Sequence, residues 1–328
     1  MAVTGFFWGL DMLYRLFGAF AILSASATMP SQAQNAEEIV AADKGVTSEQ
    51  GRPAQWYLEQ HNRLASAIAA LKPQNPGTVD AYILVAGLDG DAVFRSESEE
   101  TAKVLARRYN AEGRTILLTT DSRNGAAQGS PANINTALAA IAEKMDLAED
   151  VLILYTTSHG NKKIGIVYQD GRQGFGMIAP SRMAKMLSDL GIKRRLIMIS
   201  ACYSGEFIPD LKSDDSIIIT AASSMRPSFG CAPGNDWTFF GDALVNHGLR
   251  TPKPLTEITG DMQHIIGGWE KEFDLTPSEP QLSFGAKSEE WLAALEAQLP
   301  KNATPKTGTP SIESAYFLEL RAEKGKKK

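Results

Sequence analysis

Cysteine is scarce in this chain: 328 residues contain two, Cys202 and Cys231. Two cannot build the disulfide framework of a small stapled scaffold, nor the paired clusters of a zinc ribbon. They leave two free thiols, one disulfide, or one functional thiol. Charge of one sign is also missing. The 33 basic and 38 acidic side chains leave a net charge of −5. There is no basic stripe interleaved with aromatics, so nucleic acid is not an expected partner. No glycine-rich phosphate loop of the P-loop or dinucleotide type occurs. Asp89-Gly90-Asp91 lacks the further ligands of an EF-hand loop and reads as a tight polar turn. Nothing in the chain calls for a cofactor or a metal, and nothing sets an oligomeric state.

A long apolar run is absent too. The longest candidate, residues 16–27, is LFGAFAILSASA, short of the roughly 20 residues a membrane span needs. Arg15 precedes it, and Ala25-Ser26-Ala27 and Ser31-Gln32-Ala33 supply small-residue cleavage sites. This is the pattern of a secretory signal. Residues 1–33 are therefore expected to be a signal peptide or N-terminal anchor. The mature protein is expected to be exported, periplasmic or secreted, and membrane-attached only if the segment stays uncleaved.

What is present is the composition of a globular protein, 43% hydrophobic and 22% charged, long enough to bury a core without staples. Residues 34–55 are polar and aperiodic and read as a linker, and residues 56–71 have helical spacing. A regular alternation follows. Apolar runs at 81–86, 115–119, 151–157, 196–200 and 216–222 read as strands. Residues 99–110, 133–145, 181–190, 237–247, 257–273 and 288–299 read as helices. A hairpin is expected around Gln169-Asp170-Gly171-Arg172, and a last strand at 281–284. Continuous apolar strands alternating with amphipathic helices imply an α/β fold, a mostly parallel sheet with helices on both faces. The domain is expected to span 56–299. Residues 300–328 begin rich in Pro, Thr and Lys and read as a flexible C-terminal tail.

Sites in open α/β sheets gather at the carboxyl ends of strands. Two strand ends carry unusual residues here, Thr157-Ser158-His159-Gly160 and Ser200-Ala201-Cys202-Tyr203-Ser204-Gly205. Neighbouring strands lie about 4.8 Å apart, so His159 and Cys202 would share one edge if these strands adjoin. A thiolate is the nucleophilic form of cysteine, and a nearby imidazole can take its proton and later protonate a leaving amine. The N–H groups of Gly160 and Cys202 are candidate oxyanion donors. His61, His247 and His264 fall within expected helices and read as structural or surface groups.

These segments resemble the legumain-like cysteine peptidases of the caspase-like clan, which also include the catalytic subunit of the glycosylphosphatidylinositol transamidase. The segments, in order, are VAG at 85–87, SHG at 158–160, SACYSG at 200–205, ITAASSMRPSFGC at 219–231 and FFGDALVNH at 239–247. The resemblance implies a caspase-like three-layer fold and a Cys202–His159 dyad. It implies a substrate pocket to which Arg95 and Asp242 would contribute opposite charges, with Tyr203 and Ser228 also facing substrate. Tyr203, Ser96, Val93 and Ser158 depart from the family pattern, so strict asparagine specificity is not implied. The expected partner is a peptide or protein substrate. Hydrolysis through a thioester is the expected reaction, with a transamidase on the same dyad and a non-catalytic binding protein of the same fold as alternatives.

Overall fold

The computed structural model describes residues 40–41, 44–120, 122, 125–232 and 234–326. The segment read as an export signal lies outside the described residues. Among the described residues no helix is long and apolar enough to cross a membrane.

Six strands form the central sheet, in the order β10-β9-β8-β4-β2-β3. They are β2 (Ala81–Gly87), β3 (Thr115–Thr119), β4 (Val151–Thr157), β8 (Arg195–Ser200), β9 (Ser216–Thr220) and β10 (Gln281–Phe284). Every pair is parallel except β10 with β9. AYILVAG, VLILYTT, RLIMIS and SIIIT are buried at every position, as strands covered on both faces must be.

The period-2 alternation of these strands feeds two cores. Ile83, Val85, Ile153, Tyr155, Leu196, Met198, Ile217 and Ile219 join one. That face is covered by α2 (Ala92–Arg108) and by the helices Leu255–Phe273 and Ser288–Glu296, which contribute Leu105, Ile258, Met262 and Trp291. Tyr82, Leu84, Leu152, Leu154, Ile197 and Ile199 point the other way. They meet Leu64 of α1 (Ala54–Ala69), Ile134 and Leu138 of α3 (Pro131–Lys144), and Met183 and Leu187 of α4 (Pro180–Asp189). The expected α/β architecture is the one observed.

A second, antiparallel sheet has the order β1-β7-β6-β5, from β1 (Thr47–Glu49), β5 (Gly160–Asn161), β6 (Gly165–Asp170) and β7 (Gly174–Ile178). It corrects the reading of 34–55 as a linker, because Thr47 pairs with Gly176 and Glu49 with Gly174. The Arg52 guanidinium joins Glu49 and Asp170 and lies 4.1 Å from the Trp56 ring centroid. Composition made this stretch look like a linker because it is held by a three-residue strand and one arginine whose partners lie on a hairpin over a hundred residues away.

The C-terminal segment is a second correction, since residues 300–326 are not a free tail. Trp237 Nε1–H donates to Thr307 O at 2.8 Å, and Arg250 reaches Thr307 Oγ1 at 2.7 Å. The Ser311 N–H donates to Asp242 Oδ2 at 2.8 Å. Phe317, on the helix Ala315–Lys326, is buried with Phe239 and Phe273. Replacing Asp242 with Ala leaves the buried Ser311 N–H and Asn246 amide without their acceptor. A loss of about 2–4 kcal/mol is expected, read as a lower Tm together with faster proteolysis within 300–326. An unchanged Tm would mean that the segment is not held this way.

Candidate active site

The strand ends bring the backbones of the two chemically unusual residues to one edge. β4 and β8 are adjacent, with Thr157 opposite Ser200, and Ser158 N–H donates to Ser200 O at 3.1 Å. His159 and Cys202 therefore each sit two residues past one paired position. Gly160 draws the two turns closer still. A Cβ on Gly160 would overlap the Cys202 carbonyl and stand 3.0 Å from the Cys202 nitrogen, so only glycine fits this approach.

The histidine turn is fixed on both sides. Ser158 Oγ–H donates to Val167 O at 2.6 Å, and Val167 N–H donates to His159 O at 2.9 Å. Gly160 then pairs with Ile166 in the position of an antiparallel ladder that exchanges no hydrogen bonds, which points its N–H away from the hairpin. The imidazole meets Phe94 edge-on, with ring centroids 4.9 Å apart.

Asp91 is a functional candidate that sequence reasoning missed. It stands immediately before α2, where an aspartate side chain ordinarily caps the helix, yet it makes no capping bond. Its Oδ2 lies 3.3 Å from His159 Nε2. That contact holds the Nε2 edge of the ring toward Asp91. The available signal was a carboxylate just past the end of β2, the strand adjacent to β4 on the side opposite β8. Asp89 sits deeper, at 4% exposed, with Oδ1 accepting from the Asp91 N–H at 2.9 Å. Burial pushes the Asp89 carboxyl above its ordinary value, and the Asp91 N–H and His159 draw it partly back.

The cysteine turn explains its sequence residue by residue. Ala201 is buried and must be small. Cys202 Sγ accepts from the Ser228 N–H at 3.2 Å, with Ser228 O and Oγ at 3.7 and 3.8 Å. Tyr203 adopts the left-handed conformation, φ 59°, while its N–H donates to Arg226 O at 2.9 Å. Such strain in a non-glycine residue is concentrated at functional turns. Ser204 Oγ accepts from Ala222 N–H at 3.2 Å. A Cβ on Gly205 would lie 2.7 Å from Ser224 N.

Glu206 closes the turn and accepts from the Lys163 N–H at 2.9 Å. Burial raises its carboxyl to about 7. A carboxyl raised in the folded state favours the protonated native protein. Its stabilising contribution is complete below its ordinary value, near 4.5, and fades as pH rises through about 7. Glu206→Gln should flatten this decline in Tm across that window, and a parallel decline in both proteins would exclude Glu206 as its source.

Both cysteines are free thiols, so the Cys202–Cys231 disulfide is not formed. Burial pushes the Cys231 thiol well above its ordinary value, and negative charge at Cys202 adds to this. A thiol held neutral is a poor nucleophile.

The expected pocket residues separate. Ser228 lies on the sulfur and Tyr203 beside it. Arg95 is buried in the first turn of α2. Asp242 does not open onto a pocket. It is fully buried, with Oδ1 accepting from Asn246 Nδ2 at 2.9 Å and Oδ2 from the Ser311 N–H, so its carboxylate serves the docking of the C-terminal segment. Behind the site, Glu97 is wholly buried and accepts from the Tyr155 hydroxyl at 2.7 Å and the Thr238 N–H at 2.8 Å. These bonds tie α2 to β4 beneath His159.

No curated protein matches the chain. Among solved structures it is similar to caspase-1 from Spodoptera frugiperda, with 14% identity and a TM-score of 0.43 over 65% of this chain and 92% of that one. The model of the Peptidase C13 family matches residues 128–259. That span contains both strand ends, the Ser228 loop and Cys231. Over this stretch the chain is similar to the Peptidase C13 family.

Proposed function

We propose that the chain is an endopeptidase that works through a thioester on Cys202, with His159 as base and acid. The supporting observation is the pairing of Thr157 with Ser200, which brings both side chains to one edge two residues further on. In this reading Cys202 Sγ gives its proton to His159 Nδ1 and attacks the carbonyl carbon of the scissile bond. The N–H groups of Cys202 and Gly160 receive the developing oxyanion. His159 passes the proton to the leaving amine, the C–N bond breaks, and the thioester remains. A water molecule then gives a proton to His159, attacks the thioester and releases the acid, and the proton returns to the sulfur. No cofactor takes part. Arg95, Tyr203 and Ser228 are the residues proposed to border the substrate.

A mixed peptide library digested with the purified protein tests this by mass spectrometry. Internal cleavages are expected in the wild type and none in Cys202→Ala. A free amine should not enter the products, since water resolves the thioester in this account. Products carrying the amine would instead identify a transamidase, and an intact library would remove the peptidase reading. We further read residues 1–33 as an export signal. Sequencing the N-terminus of protein from separated cell fractions tests it, and intact Met1 on cytoplasmic protein would contradict it.

A further inference from the structure

The geometry points to a binding site for a zinc-like divalent cation formed by Asp89, Asp91 and His159, through which the ion switches the enzyme off. One donor atom from each residue lies within 4.8 Å of the others, and Asp91 Oδ2 and His159 Nε2 are 3.3 Å apart. The independent observation is at Asp89. Its Oδ2 is shut off from solvent and has no hydrogen-bond partner, although a buried carboxylate oxygen without a partner is costly. A cation between the three residues supplies that partner.

The donors lie on a fixed frame. Gly90 N–H donates to Gln169 O at 2.9 Å, and Gln169 N–H to Leu88 O at 3.0 Å, so the Asp89–Asp91 turn is clamped to the β6–β7 hairpin. That hairpin also holds His159 through Val167. Asp89 and Asp91 line a cavity of about 510 Å³, bordered also by Trp56, Gln60, Gln128 and Asp170, which opens a path for an ion.

The donor set selects the ion. One imidazole nitrogen with two carboxylates suits zinc, with water as the fourth ligand. Calcium and magnesium prefer oxygen alone. The sequence led to no metal because Asp89-Gly90-Asp91 reads as a polar turn, and His159 joins it only through the adjacency of β2 and β4.

The inhibition rests on the proposed role of His159 as base, but the binding does not. An ion on Nε2 leaves the ring proton on Nδ1. Nδ1 then has no lone pair for the Cys202 proton, and the thiolate is not formed by this route.

The test titrates zinc into the full chain against a chromophoric chelator, in wild type, Asp89→Ala, Asp91→Ala and Cys202→Ser. One ion per chain is expected. Each aspartate variant should weaken binding about tenfold or more, while Cys202→Ser binds as wild type does. Cobalt(II) in the wild type should give a visible spectrum without thiolate charge transfer. Asp91 has an exposed side chain, so Asp91→Ala carries the comparison if Asp89→Ala does not fold. Equal affinity in wild type and Asp91→Ala, or loss of binding in Cys202→Ser, would overturn the proposal. Saturating zinc should also slow alkylation of Cys202. If Cys202 is slow without zinc, the peptidase reading fails, while the affinities still decide whether the ion binds here.

Discussion

Gly160→Ala should lower kcat/KM by about 10²–10³-fold while the protein still folds. The Cβ would overlap the Cys202 carbonyl and crowd its nitrogen. These are backbone atoms, and a neighbouring backbone cannot rotate aside as a flexible side chain can. One of the two turns must therefore shift. A displacement of roughly 1 Å at reacting groups costs on the order of 10²-fold, and loss of one oxyanion donor costs about 10²–10³-fold. The stability loss should be limited to about 1–3 kcal/mol, because the β4–β8 ladder below is untouched. Gly260→Ala is the matched control. Gly260 lies in the helix Leu255–Phe273, and a Cβ there meets nothing within 4 Å. That variant should keep full activity and gain up to about 1 kcal/mol. Equal activity in the two variants would mean that the Gly160–Cys202 approach does not set the site.

Asp91→Ala should lower kcat about 10²-fold or more with KM little changed. Asp91 touches His159, so a positioning role is what this variant tests. Freed of that contact, the imidazole can present either nitrogen, and the fraction with Nδ1 ready for the thiol falls. Asp91→Glu should recover part of the loss and Asp91→Asn less, since Asn cannot stabilise the charged ring. A purely structural role would show in Tm and would not order the variants in this way. The side chain is about half exposed, at 52%, so the fold should tolerate all three. If kcat stays at the wild-type value in Asp91→Ala, the carboxylate contributes nothing to orientation.

The convergence of His159 and Cys202 on one sheet edge was legible because strand ends have a plain signature. Val151–Thr157 and Arg195–Ser200 are unbroken buried runs, and each leads within two residues to a half-buried group, His159 and Cys202. Asp91 was not legible. Its turn is polar, as most turns are, and its value lies in a contact with β4 that only the sheet order supplies. The start of α2 was hidden for a related reason. Helix was expected from 99, but it begins at Ala92. Its first turns bury Arg95, Glu97 and Ser98 beside Val93 and Phe94, so no apolar stripe marks them. Glu97 can be buried because Tyr155 and Thr238, far off in sequence, donate to it. The docked segment 300–326 and the buried Asp242 were missed together. Each satisfies the polar groups of the other, and composition reads such groups as solvated.

Iodoacetamide labelling of the reduced protein, followed by intact mass at neutral pH, reports whether Cys202 is activated and whether His159 activates it. Cys231 should stay slow because burial holds its thiol neutral, so a single fast adduct reports Cys202. One rapid label is expected in the wild type, none that is rapid in Cys202→Ala, and marked slowing in His159→Ala. Labelling of Cys202 at the rate of an ordinary thiol, unchanged by His159→Ala, would contradict that activation.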